Sequence, residues 1–390
     1  MTLADPSVTT PLEASGRAVA APAIPFFNYR GAFAAREEEF IAIIRDVLRR
    51  GAFIQQSDLA EFEEAFARFL GVKYAFGVGN ATDGLIISFK AAGLAAGDEV
   101  IFPSHTMVAS PAAVAHVGGV PIPVDCGPDH LLDPSAVAAA VTERTRAIMP
   151  VQLNGRTCDM DALGEIAERH NLLIIEDAAQ ALGSKFRGRY AGTFGVAAAF
   201  SFYPAKILGC FGDGGAVVTN DDEIARRVSL LRDHGRNEHG EVEFWGFNSR
   251  LDNMQAAILH AQFRNYEDIV SRRRSIARLY DELLSDVPQV SLPPGPDSDH
   301  DHFDVFQNYE IEADWREELR SFLSSKGVGT IVQWGGTPVH KFKRLGFDVL
   351  LPETERVFER CLMLPLNMML KDDEVRRVAA LIREFYRARD

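Results

Sequence analysis

Apolar and polar positions along the chain alternate between two periods. The first clear helical stretch follows Asp58-Leu-Ala-Glu61, which has the form of a D-x-x-E capping box, and carries Phe62, Phe66, Phe69 and Leu70 at helical spacing before stopping at Gly71. A strand-like Tyr74–Val78 comes next, then a turn over 79–83 and a helix over 84–92. From Gly97-Asp98 onward, short apolar runs at 100–102, 120–124, 147–151, 172–175, 197–202 and 216–219 are separated by helical stretches. Unbroken apolar runs of this length are what parallel strands covered on both faces look like. The alternation of strand and helix predicts a doubly wound α/β layer. No internal repeat is visible.

Beyond Asp252 the texture changes. Residues 253–284 read as one long helix whose Arg272-Arg-Arg274 forms a solvated face. The acidic, proline-rich segment 292–304 reads as an exposed loop. Its Asp299-His-Asp-His302 contains metal-ligand residue types, but nothing else in the sequence completes a set, and no metal is expected. Residues 305–390 alternate strands and helices, as in a smaller α+β domain. Order is expected to begin near Ile24. Residues 1–23, rich in Ala, Pro, Ser and Thr, read as a mobile tail without the basic start and apolar core of a secretory signal.

Composition narrows the function. The 390 residues, 47% hydrophobic, are long and apolar enough for a large α/β domain with a smaller companion. With 41 Lys+Arg against 55 Asp+Glu, the net charge of -14 argues against nucleic acid or an anionic membrane as partner, though one local anion pocket stays open. No apolar run approaches the roughly 18 residues of a spanning helix. The four cysteines are far apart and form no C-x-x-C pair, which fits a reducing cytoplasm.

Three segments carry chemistry. Gly77-Val-Gly79-Asn-Ala-Thr-Asp-Gly84 lies between a strand and a helix, where small residues and a helix start suit a phosphate. It is neither G-x-G-x-x-G nor a P-loop, and it reads as well as a plain glycine turn. Glu176-Asp177 ends an apolar run, at the edge where open α/β sheets place ligands. The pair reads equally as a helix cap. Lys206, one of eight lysines, sits among apolar residues and glycines in Ser201-Phe-Tyr-Pro-Ala-Lys206-Ile-Leu-Gly209, ahead of Gly212-Asp-Gly-Gly215. A desolvated lysine has a depressed pKa and becomes a usable amine nucleophile; alternatively its head reaches water over a buried stem. Taken together, a phosphate turn, an acid at a strand end and a buried lysine 29 residues later are the three needs of pyridoxal phosphate: a helix start for its phosphate, a carboxylate for its ring nitrogen and an amine for its aldehyde.

At these residues, and at Gly246-Phe-Asn-Ser-Arg-Leu-Asp252 and Leu364-Pro-Leu, the sequence resembles the DegT/DnrJ/EryC1/StrS sugar aminotransferases over about 24–385. The resemblance implies a fold-type-I pyridoxal-phosphate transferase, aspartate aminotransferase-like, with a large mixed-sheet α/β domain (24–265) and a small C-terminal α+β domain (266–390). It implies that Lys206 bonds the cofactor and then shuttles the proton. Asp177 would pair with the ring nitrogen and Gln180 with the ring hydroxyl, while Ala81, Thr82 and Ser201 hold the phosphate. Asn248 would reach that phosphate from the neighbouring subunit, making a homodimer with active sites at its interface. Arg250, Trp334 and His340 (in Pro338-Val-His340) are the implied substrate contacts. Five positions depart from the family pattern: Met107 stands where an aromatic ring usually stacks on the cofactor, with His105 close by; Ala81 replaces Gly, Asp213 replaces Glu, and Gln55-Gln56 replaces a glycine-rich pair.

The implied reaction moves an amino group from L-glutamate to the C3 or C4 ketone of a nucleotide-linked 6-deoxy keto-sugar, toward an amino sugar of a lipopolysaccharide or an antibiotic. A sugar dehydratase of the same fold carries histidine in place of the lysine, which Lys206 speaks against. A non-catalytic regulatory protein would have no need to keep lysine, acid and phosphate turn together.

Overall fold

The computed structural model describes residues 23–389, so the tail expected over 1–23 lies outside the described residues except for Ala23. Ile24 is buried and bridges to Val328. In chain order the strands are β1 (Tyr74–Val78), β2 (Glu99–Pro103), β3 (Val120–Val124), β4 (Thr145–Ile148), β5 (Leu173–Asp177), β6 (Lys185–Phe186), β7 (Arg189–Tyr190), β8 (Ala197–Ser201) and β9 (Gly215–Thr219). The later ones are β10 (Val290–Ser291), β11 (His302–Phe303), β12 (Tyr309–Ala313) and β13 (Cys361–Leu364). Seven of them form the main sheet in the order β1-β9-β8-β5-β4-β2-β3; β10-β12-β13 and β11-β6-β7 form two small sheets.

All six apolar runs are strands, but not all are parallel. β9 pairs antiparallel with both β1 and β8, so the sheet is mixed. Burial on both faces hides direction from the apolar pattern. Here the direction follows from the 202–214 loop, which carries Lys206 and returns the chain beside β8 without a crossover helix.

Helices start and stop where local chemistry permits, with three corrections to the sequence reading. The helix Ser57–Leu70 buries Leu59, Phe62, Phe66 and Leu70 and ends at left-handed Gly71, φ 70°. Its N-cap is Gln56, however, and Asp58 caps nothing: its carboxylate accepts from Arg50 and Asn253. Secondly, the helix expected over 84–92 spans Ala81–Ala91, because the Asn80 side chain accepts from Asp83 N–H at 2.8 Å and starts it earlier. Thirdly, the 253–284 stretch is two helices, Asn253–Phe263 and Tyr266–Leu284. No Gly or Pro marks the break; Tyr266 is buried there, with its hydroxyl donating to the Leu182 carbonyl at 2.6 Å.

The second of these helices does not present Arg272-Arg-Arg274 to water. Arg273 is buried and donates to the carbonyls of Phe306 and Gln307, both at 2.7 Å. Arg274 serves the carbonyls of Asp304 and Pro296, and Arg272 that of Leu370. The charges are staples to chain that arrives from elsewhere. The 292–304 segment is a loop as far as 301, exposed at 297–298 and 300–301, but 302–303 form β11, paired with β6, and Asp299 and Asp304 both accept from Arg156.

Apolar cores cover both faces of the main sheet, and a further one lies between Tyr266–Leu284, Asp372–Arg387 and the β12-β13 strands. That last core also takes in Ile24 and Cys126. Among the described residues no helix is long and apolar enough to cross a membrane.

Candidate active site

Sheet register brings three distant segments to one edge. Ser201, the last residue of β8, pairs with Gly215, and Gly215 with Val78 at the end of β1. One strand further, Ala199 pairs with Asp177. The carboxyl ends of β1, β8 and β5 therefore lie side by side, the edge where open α/β sheets gather their ligands. Gly215 is pressed onto the start of the Ala81–Ala91 helix: a Cβ there would stand 2.6 Å from the Asn80 carbonyl carbon and 2.8 Å from Ala81 N. Only glycine lets β9 approach so closely, and that approach sets Ser201 beside the helix start.

The helix start is arranged for an anion. Asp83 and Gly84 N–H groups are taken by Asn80, so those of Ala81 and Thr82 are the remaining donors of the first turn. Behind the turn, Ser249 Oγ accepts from Gly79 N–H at 3.0 Å and donates to Asp83 Oδ2 at 2.7 Å.

β5 separates the two adjacent carboxylates, because successive side chains of a strand point to opposite faces. Glu176 turns into a fully buried cradle, accepting from the N–H groups of Gly192, Phe194 and Gly195 and from Gln152 Nε2, at 2.6–2.9 Å. It is structural. Asp177 points to the site; its Oδ2 accepts from Ser110 Oγ at 2.7 Å and its Oδ1 from Ala179 N–H at 3.1 Å. No helix follows, so neither residue is a helix cap. Burial pushes the Asp177 carboxyl upward, while Ser110, Ala179 and the nearby Lys206 pull it back.

Lys206 is partly exposed as a residue, yet its amine is desolvated. Burial lowers it to about 8, against an opposing pull from Asp177. It shares a small cavity with Ala178, Ala179, Gln180, Ser201 and Gln307. Gln307 Nε2 donates to the Ala205 carbonyl and its Oε1 accepts from Ile207 N–H, both at 2.9 Å. Gln180 Oε1 accepts from Asn154 N–H at 2.8 Å.

Lys206, Asp177, Gln180, Ser201, Ala81 and Thr82 thus meet at one edge. The other expected residues are not among those that line the Lys206 cavity. Met107, 53% exposed, lies in the loop after β2, with its neighbour His105 buried among His130, Trp334 and Phe358 rings. Trp334 is half-buried in that same cluster. His340 is buried, its Nδ1 2.7 Å from Ser104 Oγ and its Nε2 3.3 Å from Glu355. Arg250 holds Asp233 at 3.2 Å, and Asn248 is exposed. None of these five lines the Lys206 cavity. Conversely, Ser110, Ser249 and Gln307 were not singled out from the sequence. Nothing local marks them, whereas Asn80 was readable as an N-cap residue.

A profile of the DegT/DnrJ/EryC1/StrS aminotransferase family matches residues 34–383. The chain belongs to this family. Among relatives of this aminotransferase, the dTDP-3-amino-3,4,6-trideoxy-alpha-D-glucose transaminase of Streptomyces venezuelae is 40% identical over 370 residues, 93% of this chain and 96% of that one. The solved structure of S. venezuelae DesV superposes with a TM-score of 0.89 at 40% identity, covering 94% and 99% of the two chains. NtdA of Bacillus subtilis, solved with bound PMP cofactor, superposes with a TM-score of 0.84 at 29% identity, covering 94% and 86%.

The protein is therefore a pyridoxal-phosphate aminotransferase. The residues present fit that cofactor: a desolvated amine, a buried carboxylate held by two donors, and a helix start with free N–H groups left room by Gly215.

Proposed function

We propose that the enzyme transfers an amino group from L-glutamate to the C3 ketone of a nucleotide-linked 6-deoxy keto-sugar. Choosing C3 over C4 rests on the 40% identical relative, whose name places the amine at C3. The observation that carries the chemistry is the Lys206 amine, held near 8 beside a buried Asp177. Bound at this edge, the cofactor supplies an aldehyde and an electron-withdrawing ring. Ala81 and Thr82 N–H, with the Ser201 hydroxyl, bind its phosphate. Asp177, oriented by Ser110 and Ala179, would face the ring nitrogen, and Gln180 would orient the ring hydroxyl. Lys206, neutral at Nζ, would take the α-proton of glutamate there and give a proton back to the carbon on the far side of the shared nitrogen, a 1,3 shift; a pKa near working pH suits both directions.

We assign residues 24–265 to the large domain and 266–390 to the small one, and the working unit to a cytoplasmic homodimer. Exposed Asn248 is free to serve a second copy, and Trp245 beside it is 92% exposed, as an interface aromatic would be in a lone chain. Met107, Arg250, Trp334 and His340 remain the proposed surroundings of the ring and the sugar nucleotide. The test adds glutamate to the purified yellow enzyme and then dTDP- or UDP-linked 3-keto and 4-keto sugars. Loss of the visible absorbance with glutamate, its recovery with a 3-keto sugar and the amino-sugar mass are expected. Recovery with 4-keto sugars alone, or only with simple keto acids, refutes the reading.

A further inference from the structure

A second cluster of ionisable side chains lies outside the catalytic edge, and the reaction has no use for it. His105, in the loop after β2, His130, past the end of β3, and Glu310, in β12, converge so that one ligand atom from each lies within 4.8 Å of the others. His130 Nδ1 is 3.0 Å and His105 Nε2 3.7 Å from the same oxygen, Glu310 Oε1. Tetrahedral zinc with bonds of about 2.0–2.2 Å separates its ligand atoms by about 3.4 Å, so these distances close around a cation with small shifts.

The far side of each ring is already engaged. His105 Nδ1 lies 3.2 Å from the His130 carbonyl oxygen, which only a ring N–H can serve. That puts the proton on Nδ1 and leaves Nε2 as a bare lone pair, fully buried and without any hydrogen-bond partner. It faces a carboxylate oxygen, acceptor against acceptor. His130 bridges two carboxylates, Nε2 to Glu312 Oε1 and Nδ1 to Glu310 Oε1, both at 3.0 Å; a cation taking Nδ1 displaces the proton there and leaves a carboxylate–histidine arrangement behind it. Glu310 is itself oriented: Asn154 Nδ2 donates to Oε1 at 3.1 Å and Gln333 Nε2 to Oε2 at 2.7 Å. Glu312 is neutralised by Arg356 and Arg360. One bare ring nitrogen, a second ring nitrogen already turned to the carboxylate and the fixed carboxylate itself therefore point at one place. His130, Asn154 and Glu310 also line a surface cavity through which an ion can enter and a water can fill the fourth position.

We propose that His105, His130 and Glu310 bind one divalent first-row cation, Zn2+ above all, in a site distinct from the cofactor's. The ion clasps two loops of the main-sheet half to β12 of the other half. Sequence spacing conceals the set, since His130 and Glu310 are 180 residues apart. The proposal does not depend on which sugar the enzyme aminates.

The cofactor-loaded enzyme, stripped with EDTA and dialysed against Zn2+, should retain about one zinc per chain by elemental analysis and gain several degrees in Tm. Co2+ in its place should give the intense visible bands of a four-coordinate site. His105→Ala and Glu310→Gln should each lower zinc affinity at least about 100-fold, with the cofactor absorbance unchanged as a check on folding. His130→Asn, which tolerates the φ of 68° at that position, gives an independent variant should either of the others fail to fold. Absence of bound zinc in the unaltered enzyme overturns the proposal. So does equal zinc retention by the folded variants, or a Co2+ spectrum of the weak octahedral type.

Discussion

Gln307 grips the backbone on both sides of Lys206, donating to the carbonyl of Ala205 and accepting from the N–H of Ile207, each at 2.9 Å. Gln307 is itself held, because its own carbonyl accepts from buried Arg273 at 2.7 Å. The Lys206 amine thus sits in a loop whose position is set by a residue about a hundred positions later. Gln307→Leu leaves both loop groups unpaired, at a cost of roughly 1–3 kcal/mol each. The expected result is a kcat about tenfold lower with the KM for glutamate nearly unchanged; equal loss in both would mean that Gln307 only supports folding.

Lys206→Ala should abolish turnover without unfolding the chain, since it removes an amine that burial already penalises. Borohydride should fix the cofactor's mass on Lys206 in the parent enzyme and on no residue in the variant. Multiple turnovers by Lys206→Ala would exclude it as the proton carrier.

Asp177→Asn should slow proton removal by about 100-fold or more, several kcal/mol of barrier. Ser110→Ala takes away the donor 2.7 Å from Asp177 Oδ2, so burial pushes the carboxyl higher still. The acid limb of the rate profile should then move to higher pH, with a loss of about 3- to 10-fold at neutral pH. An unmoved limb in Ser110→Ala would detach Ser110 from the ring-nitrogen contact.

Stripped of cofactor, the protein should recapture it with a pH dependence set by Lys206. The amine has a folded-state value of about 8, below its ordinary 10.5, so the neutral, reactive form is lost as pH falls through about 8. Capture should slow about tenfold per pH unit below that value and level off above it, as followed by absorbance. A rate still climbing through pH 10 would show an amine with no depressed pKa.

Arg273→Met should be costly although it lies away from the chemistry. It strips the carbonyls of Phe306 and Gln307 of a buried charged donor, worth roughly 3–5 kcal/mol in all, readable by urea denaturation. A change below about 1 kcal/mol would restore the view of 272–274 as a solvated face.

These residues mark how far the sequence could be read. Lys206 and the Glu176-Asp177 pair were legible because each has a chemistry that its position makes unusual: an amine among glycines and apolar residues, and acids at the end of an apolar run; Ser201 came only through the family resemblance. Gln307 and Ser110 were not. A glutamine between Phe306 and Asn308 has no local signature, and its partners lie 100 and 102 residues away. Glu310 escapes notice for the same reason, and His105 was noticed only as a neighbour of Met107.

Local pattern alone determined which segments are strands of the main sheet, where a glycine-rich turn precedes a helix and which lysine stands apart, because burial on both faces and the backbone freedom of small residues are written into neighbouring positions. Direction and partnership were settled only by folding. β9 runs antiparallel, Arg273 turns inward and two helices stand where one was expected. A buried polar group needs a partner, and which partner it meets depends on chain that arrives from far along the sequence.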